Sequence, residues 1–163
     1  MVSLSDQSTA GGTTRVAGRD RPPAWPLWLF RVVVTVEAVL AFDQAVFAGQ
    51  FIAGDYGALN SHETGAGVTS VMLLVETVAA VLLWRPGRGP RWPMLAGLGL
   101  FLLTGAQIGM GYARVLAVHV PLGVTIIALD ALVLVWAWRY RPGRAAGGPA
   151  QNRLARNGDG GAR

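Results

Sequence analysis

Four long apolar stretches, separated by short polar segments, make up most of the chain. They cover residues 26–50, 62–84, 92–112 and 116–138. Each stretch reaches the length of about 20 residues that an α-helix needs to cross a hydrocarbon core of about 30 Å. The pattern therefore predicts an all-α protein, a four-helix transmembrane up-down bundle.

The connections between the stretches have the composition of turns. The segment RPGRGPR at 85–91 combines arginine with proline and glycine, and the segment at 52–61 contains glycine and aspartate. Only YARV at 112–115 joins the last two stretches, so we expect the third and fourth helices to be antiparallel neighbours. The predicted division is a disordered tail over 1–24, a transmembrane domain over 25–141 and a second disordered tail over 142–163.

Arginine is concentrated on one side of the predicted membrane domain. The tails and the 85–91 segment are rich in arginine, whereas the 51–61 segment has none and the 112–115 turn has only Arg114. Because positively charged loops stay in the cytoplasm, we expect both the N- and C-termini to be cytoplasmic. Tryptophan prefers the membrane–water interface, and all six tryptophans fall at the same span ends: Trp25, Trp28, Trp84, Trp92, Trp136 and Trp138.

Composition restricts the chemistry and the partners. The chain has no cysteine, which excludes disulfides and thiolate chemistry, and no lysine, which excludes Schiff bases. Basic residues that are all arginine, beside abundant alanine, glycine and valine, are typical of a GC-rich genome, and we expect a bacterial plasma membrane. The net charge of +5 does not indicate nucleic-acid binding, because the arginines flank apolar spans. The lipid bilayer is the expected partner.

Three acidic residues lie deep inside the predicted spans, namely Glu37, Glu76 and Asp130. A helical rise of about 1.5 Å per residue puts all three within roughly 5 Å of the midplane, where no basic residue lies. A carboxylate at that depth costs a few kcal/mol, so at least some of these acids should be neutral. The layer suits a proton or cation site, or else neutral acids that hydrogen-bond between helices as structural glue.

The two histidines of the chain form a second polar layer, nearer the outside. His62 begins the second span and His119 lies near the start of the fourth, and these two helices run in the same direction. Gln44 and Gln107 lie at neighbouring depths on the other two helices. Two facing imidazoles are what a bis-His haem iron requires, so the pattern predicts haem b ligated by His62 and His119, with both glutamines beside it. A histidine near a helix end also occurs commonly without any ligand.

Glycine is frequent around the histidine layer. The sequence GAQIG at 105–109 has the small-xxx-small spacing that lets membrane helices pack closely. The same residues would give a flat macrocycle room between the helices. The glycines concerned are Gly65, Gly67, Gly105, Gly109, Gly111 and Gly123.

Four segments at the outer helix ends resemble those of the haem A synthases, membrane enzymes built from two four-helix halves. They are DQAVFAGQ at 43–50, SHETGAG at 61–67, GAQIGMG at 105–111 and AVHVPLG at 117–123. The resemblance implies one such half, with His62 and His119 as haem ligands. The chain departs from that family in having four predicted helices rather than eight and no cysteine pair in the outer loop, so the oxidising activity is not expected. Small bis-His b-type membrane cytochromes are equally similar.

Three functions fit this sequence. The first is electron transfer or haem handling by a bis-His haem protein. The second is proton- or cation-coupled transport through Glu37, Glu76 and Asp130, with four helices completed by a homodimer. The third is an accessory subunit that packs against another membrane protein. An enzyme with covalent chemistry is not expected, because the sequence has no nucleophile elbow, no His pair at i, i+4 and no phosphate-binding loop.

Overall fold

A computed structural model describes residues 23–142 of the chain, so the tails expected at 1–24 and 142–163 lie almost entirely outside the described residues. The described part consists of four helices and contains no strand. All four helices are long and apolar enough to cross a membrane, which confirms the all-α prediction. The helices are α1 (Trp25–Ile52), α2 (Ala58–Trp84), α3 (Trp92–Tyr112) and α4 (Leu116–Arg139).

The helices form a ring in which each one packs against two neighbours. Helices α1 and α3 both pack against α2 and against α4, while the diagonal pairs of described helices make no close backbone contact. Successive helices are antiparallel, so the arrangement is an up-down bundle and the predicted pairing of α3 with α4 is confirmed. As a consequence α2 and α4, the two helices that carry histidine, run in the same direction and face each other across the centre.

The linker between α1 and α2 is shorter than predicted. It covers residues 53–57, and α2 begins at Ala58, so His62 lies in the second turn of the helix rather than at its first residue. The cause is a compact turn, in which Gly54 has a φ of 103° and the Asp55 carboxylate accepts a hydrogen bond of 3.0 Å from the Gly57 backbone N–H. Aspartate commonly closes turns of this kind by bonding the backbone two residues on.

The two ends of the bundle differ in packing. We call the end defined by Trp25, Trp84, Trp92 and Arg139 the arginine end, and the end defined by Ile52, Ala58, Tyr112 and Leu116 the histidine end. No residue over 105–125 is fully buried, although this range covers the histidine-end portions of α3 and α4. Most of the buried apolar side chains lie toward the arginine end: Leu27, Phe30, Val33, Val34, Leu73, Ala79, Ala80, Leu83, Leu100, Ile126, Val133 and Ala137.

Arg31 fastens α1 to the last turn of α4 at the arginine end. Its Nε donates to the backbone oxygen of Ala137 at 3.0 Å, and Nη2 donates to that of Tyr140 at 2.9 Å. The guanidinium lies 5.2 Å from the ring centre of Trp28 and 5.4 Å from that of Trp138. The last carbonyls of a helix have no donor within the helix, so Arg31 satisfies two groups that would otherwise be unpaired.

Candidate functional site

The two histidines make the same hydrogen bond on opposite sides of the bundle. Nδ1 of His62 lies 3.0 Å from the backbone oxygen of Gln44, and Nδ1 of His119 lies 2.9 Å from that of Gln107. A carbonyl oxygen can only accept, so each Nδ1 must carry the hydrogen and donate it. In the neutral ring this leaves the lone pair on Nε2.

The imidazole rings lie close together between the diagonal helices α2 and α4. The ring centres of His62 and His119 are 6.0 Å apart, and the ring planes are inclined by 71°. Both side chains are half-buried. Within the described chain, Nδ1 is the only ring nitrogen of either histidine that makes a hydrogen bond. The structure therefore brings the two predicted histidines to one level, each with its Nε2 lone pair unused.

Each histidine has a glutamine and a glycine beside it, so the two helical hairpins repeat one local arrangement. The Gln107 side-chain amide donates to the backbone oxygen of His119 at 2.7 Å and packs against Gly123. The Gln44 amide packs against Gly65 in the same way. The Oε1 atom of each glutamine is buried without a hydrogen-bond partner in the described chain.

The glycines around the site divide into two groups. Gly111 lies against the His119 ring, where a Cβ atom would come within 3.1 Å of Cε1. By contrast Gly67, Gly105 and Gly109 face open space, with nothing within 4 Å of an added Cβ. The close helix packing expected from GAQIG is therefore wrong within this chain, because neither of its glycines meets another helix.

The three membrane-embedded acids lie in the interior of the bundle. Glu37, Glu76 and Asp130 are exposed by 0%, 0% and 1%, and they are close enough to interact electrostatically. All six carboxyl oxygens lack a hydrogen-bond partner in the described part of the chain. If these acids held the helices together, their carboxyls would hydrogen-bond to neighbouring helices. The described residues make no such bonds to them.

Two further buried polar side chains are threonines that were not singled out in the sequence. The Thr69 and Thr104 side chains are exposed by 3% and 5%, and their hydroxyls have no partner among the described residues. Spacing could have found Thr69, because positions 62, 69 and 76 follow one another at seven-residue intervals along one face of α2. Four other helical hydroxyls donate to the carbonyl four residues earlier: Thr35, Ser70, Thr77 and Thr125.

Glu63 directly follows His62, and its carboxylate accepts a hydrogen bond from the Tyr112 hydroxyl at the surface of the histidine end. Among the residues that the structure describes, no group of three or more histidine, cysteine, aspartate or glutamate side chains is placed to hold a metal ion. Comparisons of the chain with protein-family models, with curated proteins and with solved structures found no match.

Proposed function

We propose that the chain binds a b-type haem between His62 and His119 within a membrane-spanning bundle, and that it serves in electron transfer or haem handling. The observation that carries the proposal is that the two imidazoles have the same pattern of hydrogen bonding. Each ring is held by a backbone carbonyl through Nδ1 and keeps its Nε2 lone pair. Histidines that ligate metals commonly donate their other ring N–H in this way, which fixes the tautomer and makes the ligand nitrogen more basic.

The spacing of the rings supports the same conclusion. A bond between a metal and an imidazole nitrogen is about 2 Å long, so two axial imidazoles on one metal have ring centres about 6 Å apart. The observed separation of the ring centres is 6.0 Å. The ring planes are far from parallel, and each ring is oriented by a carbonyl of its own hairpin. Because the ligands lie on diagonal helices, a planar group between them would meet all four helices.

The surroundings suit a cofactor with an apolar body. The range 105–125 contains no fully buried residue, so the histidine ends of α3 and α4 are packed less tightly than their arginine ends. When bound, a haem with two imidazole ligands supplies a reversible one-electron couple and no open coordination position for substrate. The protein's part is to orient both imidazoles through the carbonyls of Gln44 and Gln107, so that Nε2 of each ring is left to bind the iron.

Absorption spectra of the detergent-purified full chain test this proposal. We expect a Soret band, with α and β bands that sharpen on dithionite reduction, and we expect their loss in both His62→Ala and His119→Ala. The chain has no third histidine that could replace either ligand. The matched control is Met110→Leu, which removes the only thioether near this end and should leave the spectrum unchanged. A colourless protein from haem-replete cells would contradict the proposal.

We also propose that the arginine end faces the cytoplasm and the histidine end faces outward. The arginine bias of the tails and of the 85–91 segment supports this orientation. Because the chain has no cysteine, single cysteines at Tyr56 and Pro86, which are exposed at opposite ends, can report it. We expect a membrane-impermeant thiol reagent to label Tyr56→Cys on intact cells and Pro86→Cys only after lysis. The reverse pattern would overturn this topology.

A further inference from the structure

Buried polar side chains form a column that leads from the histidine end to the middle of the bundle. Their order follows from how far each residue lies along its helix from the arginine end. Glu76 and Asp130 lie eight and nine residues from that end of α2 and α4, and Glu37 lies twelve residues from that end of α1. The unpartnered hydroxyls of Thr104 and Thr69 lie twelve and fifteen residues from it. The acids are thus at the bottom of the column, and the hydroxyls continue it upward.

The column continues to the surface through the site already described. On the same count Gln107 and Gln44 lie fifteen and nineteen residues from the arginine end, and His119 and His62 lie twenty and twenty-two residues from it. Each glutamine contributes a buried and unpartnered Oε1 atom. Successive members are separated along the bundle by no more than about one helical turn, and hydrogen-bonding atoms come from all four helices.

Below the acids the bundle is closed by apolar side chains. Phe30, Ala80, Leu83 and Ala137 are exposed by no more than 1%. All four lie within five residues of the arginine end of their helices. Within the described chain, this layer contains no buried polar side-chain atom that lacks a hydrogen-bond partner. Buried polar groups therefore continue from the acids toward the histidine end and not toward the arginine end.

We propose that Glu37, Glu76 and Asp130, which we call the acid layer, form a proton-binding site that exchanges with water through the histidine end alone. A buried carboxyl without a cation or a hydrogen-bond donor beside it is stabilised by binding a proton. On release the O–H bond of a carboxyl breaks, the proton passes to water, and a carboxylate remains. The hydroxyls of Thr69 and Thr104 supply hydrogen-bonding positions along the path. The proposal rests on the acids and the hydroxyls alone and concerns the chain without haem.

The charged groups nearest to the acid layer do not neutralise it. Arg31 donates to two backbone carbonyls at the arginine end, and no hydrogen bond in the described chain reaches the three carboxyls. Helix α3 contributes no ionisable side chain between its ends. Arg139 lies exposed at the arginine end of α4. The remaining titratable groups of the helices lie toward the histidine end: Asp43 on α1, His62 and Glu63 on α2, Tyr112 on α3 and His119 on α4.

Infrared spectroscopy of the full chain in proteoliposomes tests whether the layer binds protons. At neutral pH we expect carbonyl-stretch absorption of protonated carboxylic acids that shifts on transfer to D2O. Glu37→Gln, Glu76→Gln and Asp130→Asn should each remove part of this absorption, whereas Glu63→Gln at the surface should leave it unchanged. Absence of the band, or a band that does not shift in D2O, would overturn the proposal.

Single cysteines test the side of access without changing any acid. In a chain that lacks cysteine, a charged methanethiosulfonate reagent reports which positions water reaches. Because both side chains are nearly buried at rest, we expect Thr69→Cys and Thr104→Cys to react slowly. The reaction should still be at least tenfold faster from the side that labels Tyr56→Cys than from the side that labels Pro86→Cys. The matched control Ala80→Cys should react from neither side. Thiols at 69 and 104 that resist the reagent from both sides, or that react equally from both, would contradict access through the histidine end.

Discussion

The arginine half and the histidine half of the bundle are built from the same four helices but packed in different ways. Toward the arginine end, apolar side chains from all four helices interlock, and Arg31 satisfies the last carbonyls of α4. Toward the histidine end, the helices present half-buried histidines and glutamines and glycines that face open space. One half has the packing of a protein interior, and the other is looser and more polar.

This difference indicates where the stability of the fold resides. In a lipid environment close packing, rather than transfer of apolar surface out of water, holds helices together. Unpartnered buried oxygens lower stability, and every one found in the described chain lies in or above the acid layer. We infer that packing at the arginine end holds the helices in register, and that this packing offsets the loss of stability from the unpartnered polar groups in and above the acid layer.

The largest expected effect comes from removing a packed side chain at the arginine end. Phe30→Ala should lower the free energy of unfolding by about 3 kcal/mol, because Phe30 is fully buried and leaves a cavity. Phe47→Ala on the same helix should cost less than half as much, since Phe47 is only partly buried in the histidine half. Unfolding in mixed micelles measures both variants. Equal losses of unfolding free energy in the two variants would mean that the two halves of the bundle are packed equally well.

Arg31→Lys should have the next largest effect, about 1–2 kcal/mol of stability. Lysine cannot reproduce the two hydrogen bonds of Arg31 to the end of α4 or the contact with two tryptophan rings. Arg139→Lys, at an exposed position, is the matched control. Thermal unfolding followed by tryptophan fluorescence gives both values, and a stable Arg31→Lys variant would show that this fastening is dispensable.

Gly111→Ala tests how tightly the histidine site is built. An added methyl group would press on the His119 ring, so we expect haem affinity to fall by roughly tenfold. Gly109→Ala should have no effect, because nothing lies within 4 Å of its added carbon atom. Titration of both variants with haem measures this difference. Indistinguishable affinities would mean that the position of the His119 ring does not matter for binding.

The smallest expected effect concerns the hydroxyls. Thr69→Val removes an unpartnered buried oxygen, and it should raise stability by about 0.5–1 kcal/mol while slowing D2O exchange of the acid layer. Thr77→Val removes a hydroxyl that bonds within its own helix, and it should leave the exchange rate unchanged. Stability and infrared exchange are measured on the same two samples. A strong loss of stability in Thr69→Val would mean that its hydroxyl has a structural partner.

The sequence was sufficient for the fold because hydropathy and helix length determine it almost alone. Four apolar stretches of spanning length gave four helices, and the short YARV turn forced α3 and α4 together. The error at the start of α2 came from a turn closed by the Asp55 carboxylate, a local contact that hydropathy does not report. The position of Glu37, Glu76 and Asp130 along their spans similarly placed them near the midplane, and the structure places them in the interior.

The finer features of the site could not be predicted from the sequence. The partners of His62 and His119 are backbone carbonyls of Gln44 and Gln107, and backbone oxygens carry no sequence signal. The glycines of GAQIG match a packing pattern, but only the orientation of α3 decides whether they meet another helix. The spacing of positions 62, 69 and 76 could have found Thr69 but not its unpartnered hydroxyl, because whether a hydroxyl bonds its own helix depends on its rotamer.

The most direct test of the central claim, that two imidazoles on diagonal helices share one haem iron, is electron paramagnetic resonance of the ferric protein. We predict a low-spin signal in the wild-type chain and a high-spin signal, or no haem, in each of His62→Ala and His119→Ala. The hydrogen bonds to Gln44 and Gln107 predict equal dependence on both rings. A low-spin signal that survives the loss of either histidine would contradict the account.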